Sequence, residues 1–243
     1  MTTEQRRLWK QAFGDTDAFL DLFERTAYAP DRCHTLTVEH CLAAALYWLD
    51  CETAGEKTAY IYAVATDERF RGRGLCRRLL TETHTRLLGE GYASAVLVAA
   101  SPSLSEMYRK MGYLPLQTVG ETRVPAAEAA AVLETLTPSE FAARRRRLLP
   151  PDGVVQEGEN LRFFAAQYNF YATADCLLAA RREGDRLVVT ELLGTPPSLG
   201  GIVTALGCRE GVFRLPQGDR PFALWLPLTE AATRPSYFGW AFD

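Results

Sequence analysis

The sequence predicts an α/β fold, a mixed α+β sheet sandwiched between helices. Three observations carry that expectation. Two extended apolar runs, residues 41–51 and 57–66, flank Thr53-Ala54-Gly55-Glu56 and read as strand, turn and strand, with Gly55 supplying the turn. Residues 75–88 space Leu75, Leu79, Leu80, Leu87 and Leu88 as one face of an amphipathic helix, which Gly89 and Gly91 end. A compact apolar run over residues 93–100 has the length of a buried strand, and Ser103-Leu104-Ser105-Glu106 reads as a capping box opening a further helix that stops near Gly112. Strand, helix, strand and helix after a hairpin give the layered class.

The remaining elements follow in order. Residues 1–40 read as helices, with Asp15 as an N-cap and Phe19, Leu22 and Phe23 at helical spacing behind it. A boundary falls within residues 115–155. There, 126–133 are alanine-rich, and Thr137-Pro138-Ser139-Glu140 forms a second capping box with Pro138 at the first helical position. The helix it opens carries four consecutive arginines, Arg144 to Arg147. Consecutive helical positions point around the whole axis, so they form no single face and read as a solvated, dipole-compensating helix end. Pro150-Pro151-Asp152-Gly153 then breaks the chain. Residues 155–243 echo the first half: Asp175-Cys176-Leu177-Leu178-Ala179-Ala180 parallels His40-Cys41-Leu42-Ala43-Ala44-Ala45, and each is followed by an extended run, a loop and a candidate helix. The expected organisation is a domain over residues 1–125, a helical linker over 126–154 and a smaller, partial second domain over 155–243.

Composition narrows the class. The 243 residues are 47% apolar and 23% charged, with 27 Lys+Arg against 30 Asp+Glu for a net charge of -3. That is the balance of a folded chain and gives no basic excess, so neither nucleic acid nor a membrane surface is an expected partner. The longest apolar run is about half of what a bilayer requires, and residues 1–7 carry no apolar signal segment. A cytoplasmic location is expected. The cysteines (Cys33, Cys41, Cys51, Cys76, Cys176, Cys208) include no C-x-x-C pair, so no metal site is expected and the thiols read as buried and reduced.

The chemistry concentrates in residues 60–113. A strand runs out at Thr66, a loop holds Arg69-x-x-Gly72-x-Gly74, and a helix starts at once. Glycines admit close approach of the backbone, and the first N–H groups of a helix have no internal partners, so this junction suits a pyrophosphate. There is no G-x-x-x-x-G-K-[ST], and the third glycine of a dinucleotide fingerprint would fall at Arg77.

Val64-Ala65-Thr66-Asp67-Glu68-Arg69-Phe70-Arg71-Gly72-Arg73-Gly74-Leu75 resembles motif A, [RQ]-x-x-G-x-[GA], of the GCN5-related N-acetyltransferases (GNAT). Ser105-Glu106-Met107-Tyr108-Arg109-Lys110-Met111-Gly112-Tyr113 is similar to that family's tyrosine-bearing helix ending in "lGY". The resemblance covers roughly residues 10–120. It implies the acyl-CoA N-acyltransferase fold, with a second, partial GNAT-like region behind it, and acetyl-CoA as co-substrate without a metal. It also implies transfer of the acetyl group by direct attack of a primary amine, on a small molecule or an exposed protein amine. By the same resemblance, the backbone of Val64, Ala65 and Thr66 pairs with the pantetheine arm, and the amides from Arg71 to Arg77 (Gly72, Arg73, Gly74, Leu75 and Cys76 between them) hold the pyrophosphate. Arg69, Arg71 or Arg73 adds charge, and Tyr108 serves the departing thiolate.

One family feature is missing: residues 59–66 carry no carboxylate or histidine to receive the ammonium proton. Asp50, Glu52, Glu56 and His34 are candidates by exclusion. The two-part arrangement also resembles the enhanced-intracellular-survival acetyltransferases, whose terminal carboxylate acts as base, which would give Asp243 that role. This chain is much shorter than that type. Its end, Tyr237-Phe238-Gly239-Trp240-Ala241-Phe242-Asp243, is dense in aromatics. Two placements are open: the aromatics close the second region's core, or the tail reaches the first domain's cleft. Thr195-Pro196-Pro197-Ser198-Leu199-Gly200-Gly201, where motif A would recur, has no arginine, so a second CoA site is not expected. The alternative function is an acyl-CoA-binding sensor without turnover. Expected partners are acetyl-CoA and an amine acceptor, with homodimerisation left open.

Overall fold

Helix α1 (Thr3–Phe13) starts at a capping box in which the Thr2 hydroxyl accepts from Gln5 N and the Gln5 side chain accepts from Thr2 N. The structure, a computed structural model, describes residues 1–216 and 218–242. Helix α2 (Asp17–Thr26) is capped by Thr16, not Asp15. Asp15 has another commitment, accepting from Trp9 Nε1 at 2.7 Å. The segment expected to be helical up to residue 40 instead enters the sheet as β1 (Cys33–Val38), an edge strand too short and too mixed in polarity to show a period.

Strands β2 (Cys41–Thr53) and β3 (Glu56–Thr66) are the expected hairpin. Its turn needs left-handed backbone at Ala54 (φ 49°) and Gly55 (φ 83°). β2 is buried on both faces, which is why its apolar run is continuous instead of alternating. Ala45, Tyr47 and Leu49 meet α1 and α2, while Ala44, Leu46 and Trp48 meet the other layer. That layer contains α3 (Leu75–Gly89), which buries Leu75, Leu79, Leu80 and Leu87. β4 (Ser94–Val98) follows, then α4 (Pro102–Arg109), whose cap is Ser101 and not Ser103. The Ser101 hydroxyl accepts from Leu104 N, and Pro102 takes the first helical position, where no donor is needed.

The rest of the chain is β5 (Leu114–Pro125), β6 (Glu134–Leu136), α5 (Pro138–Leu148), α6 (Glu159–Ala165), β7 (Asn169–Ala172), β8 (Cys176–Glu183), β9 (Arg186–Gly194), α7 (Leu199–Ala205), β10 (Glu210–Pro216) and β11 (Arg220–Pro227). The alanine-rich stretch 126–133 is irregular, while α5 begins with the expected capping box at Thr137. The described strands form one eleven-stranded sheet in the order β1-β2-β3-β4-β11-β5-β10-β9-β8-β7-β6.

The internal echo is structural. β2 and β3 pair antiparallel and β3 pairs parallel with β4 across α3; β8 and β9 pair antiparallel and β9 pairs parallel with β10 across α7. The two parts also complete each other. β11 inserts between β4 and β5, with Trp225 facing Val96 on one side and Leu114 on the other, and the far end of β5 pairs with β10. One hydrogen-bonded sheet therefore crosses the sequence positions at which the chain reads as divided.

Candidate active site

The parallel pairing of β3 and β4 runs only through Thr58–Ser94, Ala59–Ala95 and Tyr60–Val96. Beyond Tyr60 the strands part, and the β4-facing backbone edge of β3 has no partner strand. On its other side β3 carries a bulge, since Ala45 faces Ala65 and Tyr47 faces Tyr62, leaving Ala63 and Val64 opposite Leu46 alone. Ala63 adopts φ 50° there, a left-handed conformation that costs an alanine about 1 kcal/mol or more and re-aims the neighbouring amides.

At the end of β3, Asp67 is fully inaccessible and braces the loop. Its carboxylate accepts from Arg69 N, Nε and Nη2, each at 3.0 Å, and from Arg7 Nη2 at 2.9 Å. Of the three arginines expected to add charge at the pyrophosphate, Arg69 is thus committed to Asp67, and Arg71 Nε donates to Thr66 O at 3.2 Å. Arg69 and Arg73 both lie over the Phe70 ring, each 5.3 Å from its centroid. Gly72 (φ 75°) and Gly74 (φ 74°) turn the chain into α3, whose N-terminus has no side-chain cap and no acidic residue in its first turn. Exposed glycines, uncapped amides and basic neighbours at one helix start fit a pyrophosphate.

The Arg69 and Arg7 partners hold the Asp67 carboxyl well below the usual carboxylate range. A depressed folded value makes this contribution to stability complete above the unfolded value, about 3.9. It is lost as pH falls through the folded value. Asp67→Asn is therefore expected to reduce stability by roughly 1–3 kcal/mol at pH 7. Thermal melts in a pH series should show the gap from wild type closing below pH ~4.

The parted strands open onto a cleft of about 570 Å³. Ala63, Val64, Val98 and Leu104 line it together with Tyr108, which is 6% exposed. Burial pushes the Tyr108 hydroxyl pKa up, with the neighbouring Cys76 adding to the shift, so it stays protonated across the physiological range. The other wall is aromatic, formed by Trp9, Phe13, Phe19, Tyr62, Tyr168 and Phe242. Asp15 is the one carboxylate lining the cleft among the described residues, and it has no cationic partner among them. The two cations that line it are paired outward, Arg181 with Glu183 and Arg220 with Glu121.

None of the four groups considered by exclusion as base lines this cleft. Asp50 binds the Tyr92 hydroxyl and Arg32, Glu52 pairs through its backbone with Val155, and Glu56 accepts from Thr233 N. His34 sits against α3, contacting Thr83 and Glu82. Asp243 lies outside the described residues. The segment before it divides its aromatics between the two expected placements: Trp240 is buried in the second part's core, Phe238 packs with the first part's, and Phe242 packs against both. Phe242 lies 5.5 Å from Tyr62 and 4.6 Å from Phe163, and its N–H donates to the Tyr60 hydroxyl at 3.3 Å. Sequence reasoning missed Asp15 and Trp9 as cleft residues. Nothing local distinguishes Asp15 from a helix cap; only the position of Trp9 turns it inward.

No group of three or more His, Cys, Asp or Glu side chains suited to a metal occurs among the described residues. No helix among them is long and apolar enough to cross a membrane.

Residues 2–116 match the acetyltransferase (GNAT) domain family. No curated protein matches the chain. Among solved structures, it resembles a conserved protein of unknown function from Enterococcus faecalis described as a probable N-acyltransferase, with a TM-score of 0.70 and 14% identity over 93% of this chain and 70% of that one. A GCN5-related N-acetyltransferase from Kribbella flavida aligns with a TM-score of 0.68 and 16% identity, over 92% of this chain and 69% of its own. Eis1 from Mycobacterium abscessus gives 0.66 and 14%, over 94% and 73%. At these identities the likeness is one of fold, and it takes in the second part as well as the first. Residues 2–116 are therefore a GNAT acetyltransferase domain, and the chain shares its fold with the solved structures over more than nine tenths of its length.

Proposed function

We propose that this acyltransferase moves the acetyl group of acetyl-CoA to a primary amine by direct attack, and that the acceptor is a cationic amine with an apolar or aromatic body. The observation that carries the reading is the single cleft shared by the Ala63 bulge, Tyr108 and Asp15, on the strand whose end leads into the uncapped start of α3. The pyrophosphate lies on the amides of residues 71–77, and the pantetheine arm runs along the unpaired edge of β3 at Val64, Ala65 and Thr66 as an added strand. A backbone N–H at the bulge receives the oxyanion formed as the amine adds to the thioester carbonyl. Collapse breaks the C–S bond, and the Tyr108 proton goes to the departing thiolate. The acceptor ammonium loses one proton to solvent before attack, and the added amine returns a second to Tyr108, so each turnover yields one amide, one thiol and one proton.

The acceptor arrives as an ammonium ion, because an ordinary amine has a pKa near 10. Asp15 is the unpaired negative charge in an otherwise aromatic wall, and aromatic faces themselves attract cations. Trp9 fixes the carboxylate through its Nε1 and stands 5.6 Å from Tyr62, the residue before the bulge. Asp15→Asn keeps the shape and removes the charge. It should raise KM for cationic acceptors about tenfold and leave acetyl-CoA affinity unchanged.

A panel of amines with acetyl-CoA and a thiol reagent tests the reading as a whole. CoA release above the uncatalysed rate is the expected result. Binding of acetyl-CoA without release for any amine would instead support the acyl-CoA-binding sensor.

A further inference from the structure

Of the four arginines in α5, three behave as a solvated helix end: Arg144 pairs with Glu134, Arg146 with Glu157, and Arg147 is exposed. Arg145 does not. Its side chain is 3% exposed and forms a two-pronged pair with Glu191 of β9, itself 1% exposed, with Nε to Oε2 and Nη2 to Oε1 both 2.9 Å. Such a pair is weak evidence for stability, since desolvating two charges costs several kcal/mol and an apolar replacement is often neutral or better. Its surroundings give it a different use.

What the pair grips is the C-terminal segment. The Tyr237 hydroxyl donates to Glu191 Oε1 at 3.0 Å. The Arg145 guanidinium lies 4.4 Å from the centroid of the Trp240 ring, which also stacks parallel on Phe164 at 4.3 Å. Gln156 joins the two, accepting from Arg145 Nη2 and donating to Trp240 O at 2.8 Å. Gly239 passes directly over the pair, so close that a Cβ there would lie 2.2 Å from Arg145 Nη2 and 2.3 Å from Glu191 Oε1. From the other side, Gln117 of β5 holds Phe238 in both directions, donating to its carbonyl at 2.9 Å and accepting from its N–H at 2.7 Å. Two residues past Trp240, the chain delivers Phe242 into the cleft against Tyr62 and Phe163.

We infer that the buried Arg145–Glu191 pair is a positioning device that sets the register of residues 237–242, and through it the acceptor side of the cleft. Directional hydrogen bonds fix the tail's place along its path, whereas apolar packing alone would tolerate a slip. This also gives the second part of the chain, which has no CoA loop, a role in the reaction: it mounts the segment that walls the first part's cleft. The inference rests on the proposed function for its kinetic test, but its structural claim can be read without turnover.

Two variants test it from opposite sides. Gly239→Ala keeps both charges and forces the tail and the pair apart, because its Cβ would fall within 2.3 Å of each partner, and Glu191→Gln removes one charge while leaving the tail sequence intact. Arg144→Ala, on the exposed face, is the control. Per active site, counted by acetyl-CoA stoichiometry, both variants should lose tenfold or more in kcat/KM for the acceptor, with acetyl-CoA affinity within about twofold of wild type, and the control should match wild type. A role confined to folding would lower the number of acetyl-CoA sites and leave acceptor KM unchanged at those that remain. That outcome, or wild-type kcat/KM in Gly239→Ala, overturns the inference. If Glu191→Gln does not fold, Gly239→Ala decides. If the wild-type protein acetylates no amine, the proposed function fails, and hydrogen exchange still decides the positioning claim. The amides of Phe238 and Phe242 should lose at least tenfold protection in Gly239→Ala while those of β2 and β3 hold. Unchanged tail protection would overturn it.

Discussion

Acetyl-CoA is expected not to bind measurably to the Gly72→Asp and Gly74→Asp variants. Both glycines occupy the left-handed region, at φ 75° and 74°, so any L side chain there is strained by about 1–2 kcal/mol. A Cβ at either position would meet nothing within 4 Å, so the penalty is conformational and electrostatic, not a clash. The added carboxylate would stand beside the phosphates at a helix start that has no side-chain cap. Like charges about 4 Å apart near a surface repel by roughly 4 kcal/mol. Together these terms exceed a 10²-fold loss in affinity, at about 1.4 kcal/mol per decade. Alanine at the same positions separates the two causes, since it keeps the strain and omits the charge. Calorimetric titration reads the outcome, and wild-type affinity in both aspartate variants would remove the pyrophosphate assignment.

Tyr108→Phe is expected to lower kcat by about 10²-fold while barely changing the affinity for acetyl-CoA. The ring packs 5.7 Å from Tyr113, a contact phenylalanine retains. Only the hydroxyl is lost, and with it the proton for the thiolate. Because burial raises the Tyr108 pKa, the hydroxyl remains an acid across the working range. The wild-type rate should therefore show no alkaline decline from this group up to pH ~10, its ordinary value. The assay needs conditions in which chemistry limits the rate. Wild-type turnover in the variant would return Tyr108 to a packing role.

The loop and strand chemistry was legible because it is local. The turn at Gly55, the capping box at Thr137, the glycines before α3 and the leucine stripe behind them depend on residues within a few positions of one another. Other features were misread where two local readings compete. Asp15, Thr16, Ser101 and Ser103 are all good caps by type, and only the path of the chain selected Thr16 and Ser101. The bulge at Ala63 left no trace in the sequence, because alanine carries no preference for the left-handed conformation it adopts there. That backbone is imposed by the register of β2 against β3.

By itself, then, the sequence determined the layered α/β class, the R-x-x-G-x-G loop between β3 and α3, the tyrosine of α4 and the repeated order of elements in the second part. All of these rest on spacing along the chain. The tertiary structure decided what depends on long separation. It inserted β11 between β4 and β5, turned Asp15 and Trp9 into the cleft, buried one arginine of a run that otherwise faces solvent, and led Phe242 into the cleft. The partners of these contacts lie from tens of residues to nearly two hundred apart, as Phe242 and Tyr60 do, and no local propensity records them. They form because each part leaves unpaired strand edges and apolar faces that the other part covers, and such complementarity exists only once both are folded.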